Sequence, residues 1–501
     1  MRVPKSVVSL CAGMLLPLAF APVQFVPLAV LCPAVLFHCW RGSGAKDAFR
    51  HGWLFGFGLF GVGVNWLHIS INMFGGVNLA GALAATLLLV AFLALVPATA
   101  GYAARRLAPA SESAFLIGTA PAVWVLGEWT RIWLLTGFPW LLLGYSQTDT
   151  PLGALAAPAG VLGVGWATAA IAGMLAAFGT GGRETRILVV AGIPILCAAG
   201  WLSAGHDWTR ADARVLTAAV IQGSIPQELK WRPEYRDLSI ARYLELTEDH
   251  WSADIIVWPE TAIPAFHSEL GELLGILADQ ARAENADLYV GLPIAERGSG
   301  KYFNGVLLAN RPGMEYRKRH LVPFGEYLPL RSLLGGLFRF LSIPMSDFSP
   351  GGDGRPLLEG VHGAAGISIC YEDAFGEEVI EALPEARLLI NVSNDAWFGD
   401  SWAPHQHLQI ARLRAAETGR YLLRSTNTGI SAVIDEKGRI VAASGQSEPA
   451  AIRSELVLHS GQTPYARTGN IPVVLAALIL ALVLRAWSRN RTPRAAAGLQ
   501  S

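Results

Sequence analysis

A thiol, an ammonium group and a carboxylate stand at intervals that could bring them to one place. Cys370 directly follows the apolar run Gly366-Ile367-Ser368-Ile369 and precedes Tyr371-Glu372-Asp373. Lys318 lies 52 residues earlier, in Tyr316-Arg317-Lys318-Arg319-His320-Leu321-Val322-Pro323-Phe324-Gly325-Glu326-Tyr327. Glu260 lies a further 58 residues back, in Val257-Trp258-Pro259-Glu260-Thr261-Ala262, where a proline forces a turn after a short apolar run. Each gap is about the length of one or two strand–helix units, so the three could meet at one edge of a sheet. Taken singly, each has a plain alternative: a solvated turn carboxylate, a surface lysine, a core cysteine. Together they suit covalent catalysis. A thiol needs a base or a nearby cation before it is a good nucleophile. A carboxylate can supply the base, and an ammonium group can stabilise the oxyanion formed at an attacked carbonyl.

The segments that must position these groups alternate in type. Residues 214–458 read as strands at Val215–Ile221, Ile255–Trp258, Leu288–Leu292, Ala365–Ile369, Leu388–Val392, Tyr421–Ser425, Ser431–Ile434 and Ile440–Ala443. Amphipathic stretches at Arg236–His250, Leu270–Glu284, Glu377–Leu383 and His405–Thr418 read as helices. Short β-branched runs alternating with helical stretches predict an α/β layered domain, with chemistry on loops at the strand ends. Its only cysteine is Cys370, so it has no internal disulfide.

The rest of the chain belongs to another solvent. Of 78 charged residues only 15 fall within 1–203, and none between His51 and Ala104. Apolar runs of roughly membrane-spanning length are expected at 7–22, 24–40, 52–72, 79–101, 114–130, 152–178 and 187–203, with an eighth at 471–487. The organisation is then a seven-helix transmembrane domain over 1–203, a catalytic domain over 214–458 and a C-terminal transmembrane helix. With the N-terminus in the cytoplasm, thirteen Lys and Arg residues fall in the inner short segments and one, Arg131, in the outer. That bias places both termini inside and the catalytic domain outside the cytoplasm. The neutral net charge gives no electrostatic reason to expect nucleic acid.

Several groups have two readings. The stretch 131–150 is either a re-entrant arm or an amphipathic loop, and Glu128 is expected at the interface. Asn391–Gly399 either lines a pocket or makes local turn hydrogen bonds. His405 and His407 are too sparse a set for a metal, so structural or pocket roles are expected. Arg412, Arg414 and Arg420 either balance carboxylates or meet lipid phosphate.

The three motifs resemble the Glu–Lys–Cys triad of the nitrilase (carbon–nitrogen hydrolase) superfamily. The fuller runs WPETAIP, KRHLVPFGEYLP and CYED, with seven apolar segments ahead and one behind, resemble the apolipoprotein N-acyltransferases, its membrane-anchored members. The resemblance covers essentially the whole chain. It implies an αββα sandwich, with Cys370 as nucleophile, Glu260 as general base and Lys318 as oxyanion stabiliser. Glu326, Trp231, Tyr371, Glu372 and Asn304 would support the site or bind substrate. It also implies transfer of a fatty acyl group from a phospholipid such as phosphatidylethanolamine to a diacylglyceryl apolipoprotein, in the bacterial inner membrane, with the catalytic domain periplasmic. No cofactor or metal is implied. A membrane-tethered amidase acting on a small amide would use the same triad. A ligand-binding receptor or transporter is the reading from another class; it would lack a use for the thiol, and the chain shows neither paired intramembrane charges nor an internal repeat.

Overall fold

The computed structural model describes residues 3–296, 298–327 and 348–491. Arg2, Arg494 and the end of the middle motif, Leu328 and Pro329, lie outside these. By its internal contacts the chain divides into two units: Met1–His68 with Leu83–His206 and Thr468–Ser501, and Ile69–Ala82 with Asp207–Arg467.

The first unit is helical. Four helices are long and apolar enough to cross a membrane: Leu79–Arg106, Pro151–Phe178, Arg183–Ala204 and Ile471–Ser488. A fifth span is possible only by joining Ala45–Gly63 to Leu67–Met73, which are bent 56° apart. The eight spans expected are therefore not carried by helix length among the described residues. Apolar composition runs on where the helix does not. Lys5–Leu15 tightens into a 3-10 turn at Leu16–Ala19. Pro27–Trp40 has 14 residues, about 21 Å of helix against a hydrocarbon core of about 30 Å. The expected 114–130 span opens on a π turn, Phe115–Thr119, before Ala120–Trp133.

Close approach of backbones holds this unit together. A Cβ on Gly52 would meet the Pro97 carbonyl, one on Gly56 the Ala94 backbone, and one on Gly101 the Ala48 carbonyl and the Trp40 indole. Small residues at such crossings are the usual means of helix association in lipid. Glu128, expected at the interface, is buried within the protein; its Oε1 accepts the Leu143 N–H at 2.8 Å, with Arg131 4.0 Å away. The 131–150 stretch folds as short 3-10 turns with Trp140, Leu142 and Tyr145 buried.

The second unit contains two six-stranded sheets. One has the order β12-β1-β2-β3-β4-β5, formed by β1 (Arg210–Gln222), β2 (Ile255–Val257), β3 (Asp287–Ala295), β4 (Tyr302–Leu308), β5 (Glu315–Arg317) and β12 (Ala450–Ser460). The other has the order β11-β10-β9-β8-β7-β6, formed by β6 (Leu357–Glu359), β7 (Ala364–Ile369), β8 (Leu388–Ser393), β9 (Leu422–Thr426), β10 (Ala432–Ile434) and β11 (Ile440–Ala443). One apolar core takes Val220, Val257, Tyr289 and Val306 from the first sheet and Ile367, Ile390, Leu423 and Val433 from the second. The alternate residues of the first sheet, Ile256, Leu288 and Val290, pack with Tyr243 and Leu277 of helices Pro233–Thr247 and Gly271–Ala283. Those of the second, Leu389 and Leu422, pack with Leu408, Ala411 and Ala415 of helix Ala403–Thr418. Period-two alternation with both faces apolar thus gives helix, sheet, sheet and helix layers.

The sequence reading missed β4, β5, β6 and β12. The expected helix near Glu377–Leu383 is only Gly376–Val379 followed by a 3-10 turn. Within each sheet the central strands are parallel: β1, β2 and β3 in one, β7, β8 and β9 in the other. Glu260 and Cys370 follow the carboxyl ends of β2 and β7, where the crevices of α/β sheets lie. Residues 69–82, read from sequence as the end of the 52–72 span, a short connection and the start of the 79–101 span, cluster here; Phe74 meets Trp397 edge-on at 5.0 Å.

Candidate active site

Two strained turns present the carboxylate and the thiol. Thr261, next to Glu260, has φ 46°, and Cys370 itself has φ 52°. A side chain in the left-handed region costs roughly 1–2 kcal/mol, so neighbouring contacts must hold both turns. Gly291 on β3 is one such neighbour: a Cβ there would run into the Pro259 carbonyl and lie 2.9 Å from Glu260 Cα. Lys318 follows β5, its N–H donating to the Asn304 carbonyl of β4 at 2.8 Å.

The charged groups meet around Lys318 Nζ, which is 1% exposed. It donates to Glu326 Oε1 at 2.9 Å and stands 3.9 Å from Glu260 Oε1. Asn304 Nδ2 joins the two carboxylates, donating to Glu260 Oε1 at 2.6 Å and Glu326 Oε1 at 3.3 Å. Glu326 Oε2 in turn accepts the Val322 N–H at 2.8 Å. Among the described residues Glu260 Oε2 and Asn304 Oδ1 have no hydrogen-bond partner although buried. An unmade bond in such a place costs about 1–3 kcal/mol, and it leaves one carboxylate oxygen available to a proton.

Protonation follows from these surroundings. Burial raises the Glu260 pKa; Lys318 opposes the rise and Glu326 adds to it. Burial acts to lower the Lys318 pKa, but Glu326, Glu260 and Cys370 outweigh it and hold the ammonium charged. Burial and Glu260 push the Cys370 thiol up, against the pull of Lys318. The resting state is therefore a neutral thiol beside a charged lysine, with a carboxyl whose basicity exceeds that of an exposed glutamate. Such a thiol must lose its proton during attack, which is work for a general base.

Glu372 binds the loops that carry these groups. It accepts the N–H groups of Arg319 at 2.7 Å, His320 at 3.1 Å and Ile369 at 2.8 Å, and the Tyr316 hydroxyl at 2.9 Å. One buried carboxylate thus fixes the residue after Lys318 to the residue before Cys370. Tyr371 packs edge-on to Phe375 at 5.1 Å and His320 at 5.9 Å. Trp231 is half-buried and makes no hydrogen bond to Glu260, Lys318 or Cys370 among the described residues. Its predecessor, Lys230, reaches further in: 1% exposed, it donates to the Glu260 carbonyl at 3.1 Å, and burial lowers its pKa to about 7. Sequence reasoning named Trp231 and gave Lys230 no role. It likewise left open His407, Asp395 and the other members of a buried polar cluster behind Cys370, because their partners come from four separate segments.

The profile of the carbon-nitrogen hydrolase family matches residues 217–462 and that of the apolipoprotein N-acyltransferase N-terminal domain residues 12–174. The catalytic unit is therefore of the carbon–nitrogen hydrolase class. Proteins named apolipoprotein N-acyltransferase are similar over nearly full length: that of Methylococcus capsulatus is 42% identical across 96% of both chains, and that of Vibrio cholerae 40% identical across 95% of both. A carbon-nitrogen hydrolase of Helicobacter pylori, at 16% identity, aligns with 56% of this chain and 96% of its own, with a TM-score of 0.38. The chain belongs to the apolipoprotein N-acyltransferase family, and it is an acyltransferase of lipoprotein maturation.

Proposed function

We propose that the protein moves a fatty acyl group from a phospholipid, through a thioester on Cys370, to the α-amino group of a diacylglyceryl-cysteine at a lipoprotein N-terminus. The observation that carries the residue roles is the meeting of Lys318 with Glu260 and Glu326 at the site of Cys370, which stands in a left-handed turn. Glu260 takes the Sγ proton as sulfur attacks the ester carbonyl. Lys318 faces the oxyanion, which in comparable sites is worth about 3 kcal/mol. The carbon–oxygen bond breaks, Glu260 returns the proton to the leaving alkoxide, and a lysophospholipid departs. The neutral amine then attacks the thioester, Glu260 carries its proton to sulfur, and an amide and the free thiol result. Splitting the exchange over one nucleophile replaces a difficult step by two easier ones.

The donor is phosphatidylethanolamine. The apolar segments serve as eight passes through the bacterial inner membrane, with both termini cytoplasmic and the catalytic unit periplasmic, as the basic-residue bias favours. Spans that depart from a single straight helix, such as Ala45–Gly63 with Leu67–Met73, are compatible with that count. Confining enzyme and two acyl-bearing substrates to one surface is a proximity gain.

The test is intact-protein mass spectrometry after incubation with phosphatidylethanolamine and no acceptor. The expected result is a mass gain of one acyl group, released by neutral hydroxylamine and absent in Cys370→Ala. A folded protein without an adduct would overturn the lipid-donor mechanism in favour of hydrolysis of a small amide.

A further inference from the structure

We propose that His407 is a positioning residue for Cys370: an imidazolium clamped between Asp373 and Asp395, it holds the nucleophile's carbonyl and with it the left-handed turn at the end of β7. The proposal rests on the reading of Cys370 as the nucleophile. Cys370 leaves its strand at φ 52°, and its carbonyl is held by two side-chain nitrogens. His407 Nε2 and Asn391 Nδ2 each lie 3.3 Å from that oxygen. His407 Nδ1 is 2.9 Å from Asp395 Oδ1, and its Nε2 is also 2.9 Å from Asp373 Oδ1. A neutral imidazole has one donor and one acceptor nitrogen. With carboxylate oxygens against both nitrogens, the cation is the form that satisfies them.

Arg424 closes the arrangement from β9. It donates to the other oxygens of the same carboxylates, Asp373 Oδ2 at 3.2 Å and Asp395 Oδ2 at 3.0 Å. It also donates to Asn391 Oδ1, which turns the Asn391 amide so that Nδ2 faces Cys370. Ser393 Oγ adds a bond to Asp395 Oδ1 at 3.2 Å. None of the four charged side chains is more than 2% exposed. Replacing buried ion pairs by apolar residues is often neutral or stabilising, so four such charges are poorly explained by stability alone. Their contact with the nucleophile's backbone gives them a use. Burial and Arg424 act to lower the His407 pKa, but Asp373 and Asp395 overcome both and push it up to about 9. Asp395, facing His407 and Arg424, is held down to about 2 against its own burial.

The experiment measures single-turnover thioester formation by the full-length enzyme in micelles containing phosphatidylethanolamine, from pH 6.5 to 10. Parent, His407→Gln and Cys370→Ala are compared, with thermal melts as the check on folding. The parent rate should fall above pH about 9, as the imidazolium loses its proton. His407→Gln should be about 100-fold slower at pH 7, with unchanged donor KM and no such fall at high pH. A parent-like rate in His407→Gln, or a high-pH fall that survives in it, overturns the proposal. If that variant does not fold, the parent profile decides: a flat rate to pH 10 overturns the proposal and a fall near 9 supports it. An adduct persisting in Cys370→Ala would instead overturn the nucleophile assignment.

Discussion

The groups in front of Cys370 and those behind it are both buried and both charged, yet they are finished to different degrees. Behind, two carboxylates face two cations, and each of the four carboxylate oxygens of Asp373 and Asp395 has a cationic partner, although Arg424 Nε makes no hydrogen bond among the described residues. In front, Glu260 and Glu326 share Lys318, and Glu260 Oε2 has no partner among the described residues. A complete set of ion pairs resists movement and proton exchange. An incomplete one can accept a proton or a developing negative charge. The molecule therefore separates the rigid part of its electrostatics from the reactive part, with Cys370 as the residue they have in common.

Breaking the completed side should have the largest effect. Arg424→Met leaves Asp373 and Asp395 with His407 alone, and removal of one member of a buried pair typically costs about 3–5 kcal/mol. The expected outcome is a lowered denaturant midpoint with slow thioester formation in the fraction that folds. An unchanged midpoint would mean that the cluster carries little of the fold. Breaking the unfinished side should remove turnover and, because it leaves Glu260 and Glu326 without their shared cation, also lower stability. Lys318→Ala should slow thioester formation by about 10²–10³-fold, measured by the same mass gain. A rate within a few-fold of the parent would refute the oxyanion role.

The two sides also differed in how far the sequence disclosed them. Glu260 and Cys370 were legible because each follows a short apolar run, where a strand must stop, and Lys318 because it stands in a long, distinctive motif. Glu326 was named through the resemblance of that longer middle motif. Asn304 was named only through family resemblance, since Gly305 and the polar neighbours obscured β4, although the amide lies between both carboxylates. The buried cluster could not be assembled from sequence: Asp373, Asp395, His407 and Arg424 stand on four segments, and only the parallel pairing of β7, β8 and β9 brings them together. In the helical unit, helix length carries four of the eight expected spans among the described residues, or five with the bent pair. Hydropathy reports apolar residues, whereas the bend after Gly63 and the π turn at Phe115–Thr119 depend on local backbone geometry.

A smaller change should sharpen the contrast by moving the base without touching a charge. Gly291→Ala puts a methyl group against the Pro259 carbonyl and close to Glu260 Cα. Overpacking of this kind costs about 1–3 kcal/mol, and the displaced turn should retract Glu260 from Lys318. The expected outcome is a loss in kcat exceeding any change in donor KM. A proportional loss of stability with normal specific activity would show that the turn yields elsewhere.

The gentlest probe is pH, because it addresses the completed cluster in two directions once the parent is compared with a His407 variant that shares the other titrating groups, Lys230 among them. His407 is raised to about 9 from an unfolded value near 6.5. Its contribution to stability is fully present below about 6.5 and is lost as pH rises through about 9. Asp395 is depressed to about 2 from an unfolded value near 3.9. Its contribution is present above about 3.9 and is lost as pH falls towards 2. The difference in thermal melts between the parent and His407→Gln should therefore shrink from about pH 7 towards 9, and the acid limb of His407→Gln should move to higher pH because Asp395 loses one of the two cations that hold it down. An alkaline decline of equal slope in both proteins would assign the titration to another group and remove His407 from the set of permanent charges.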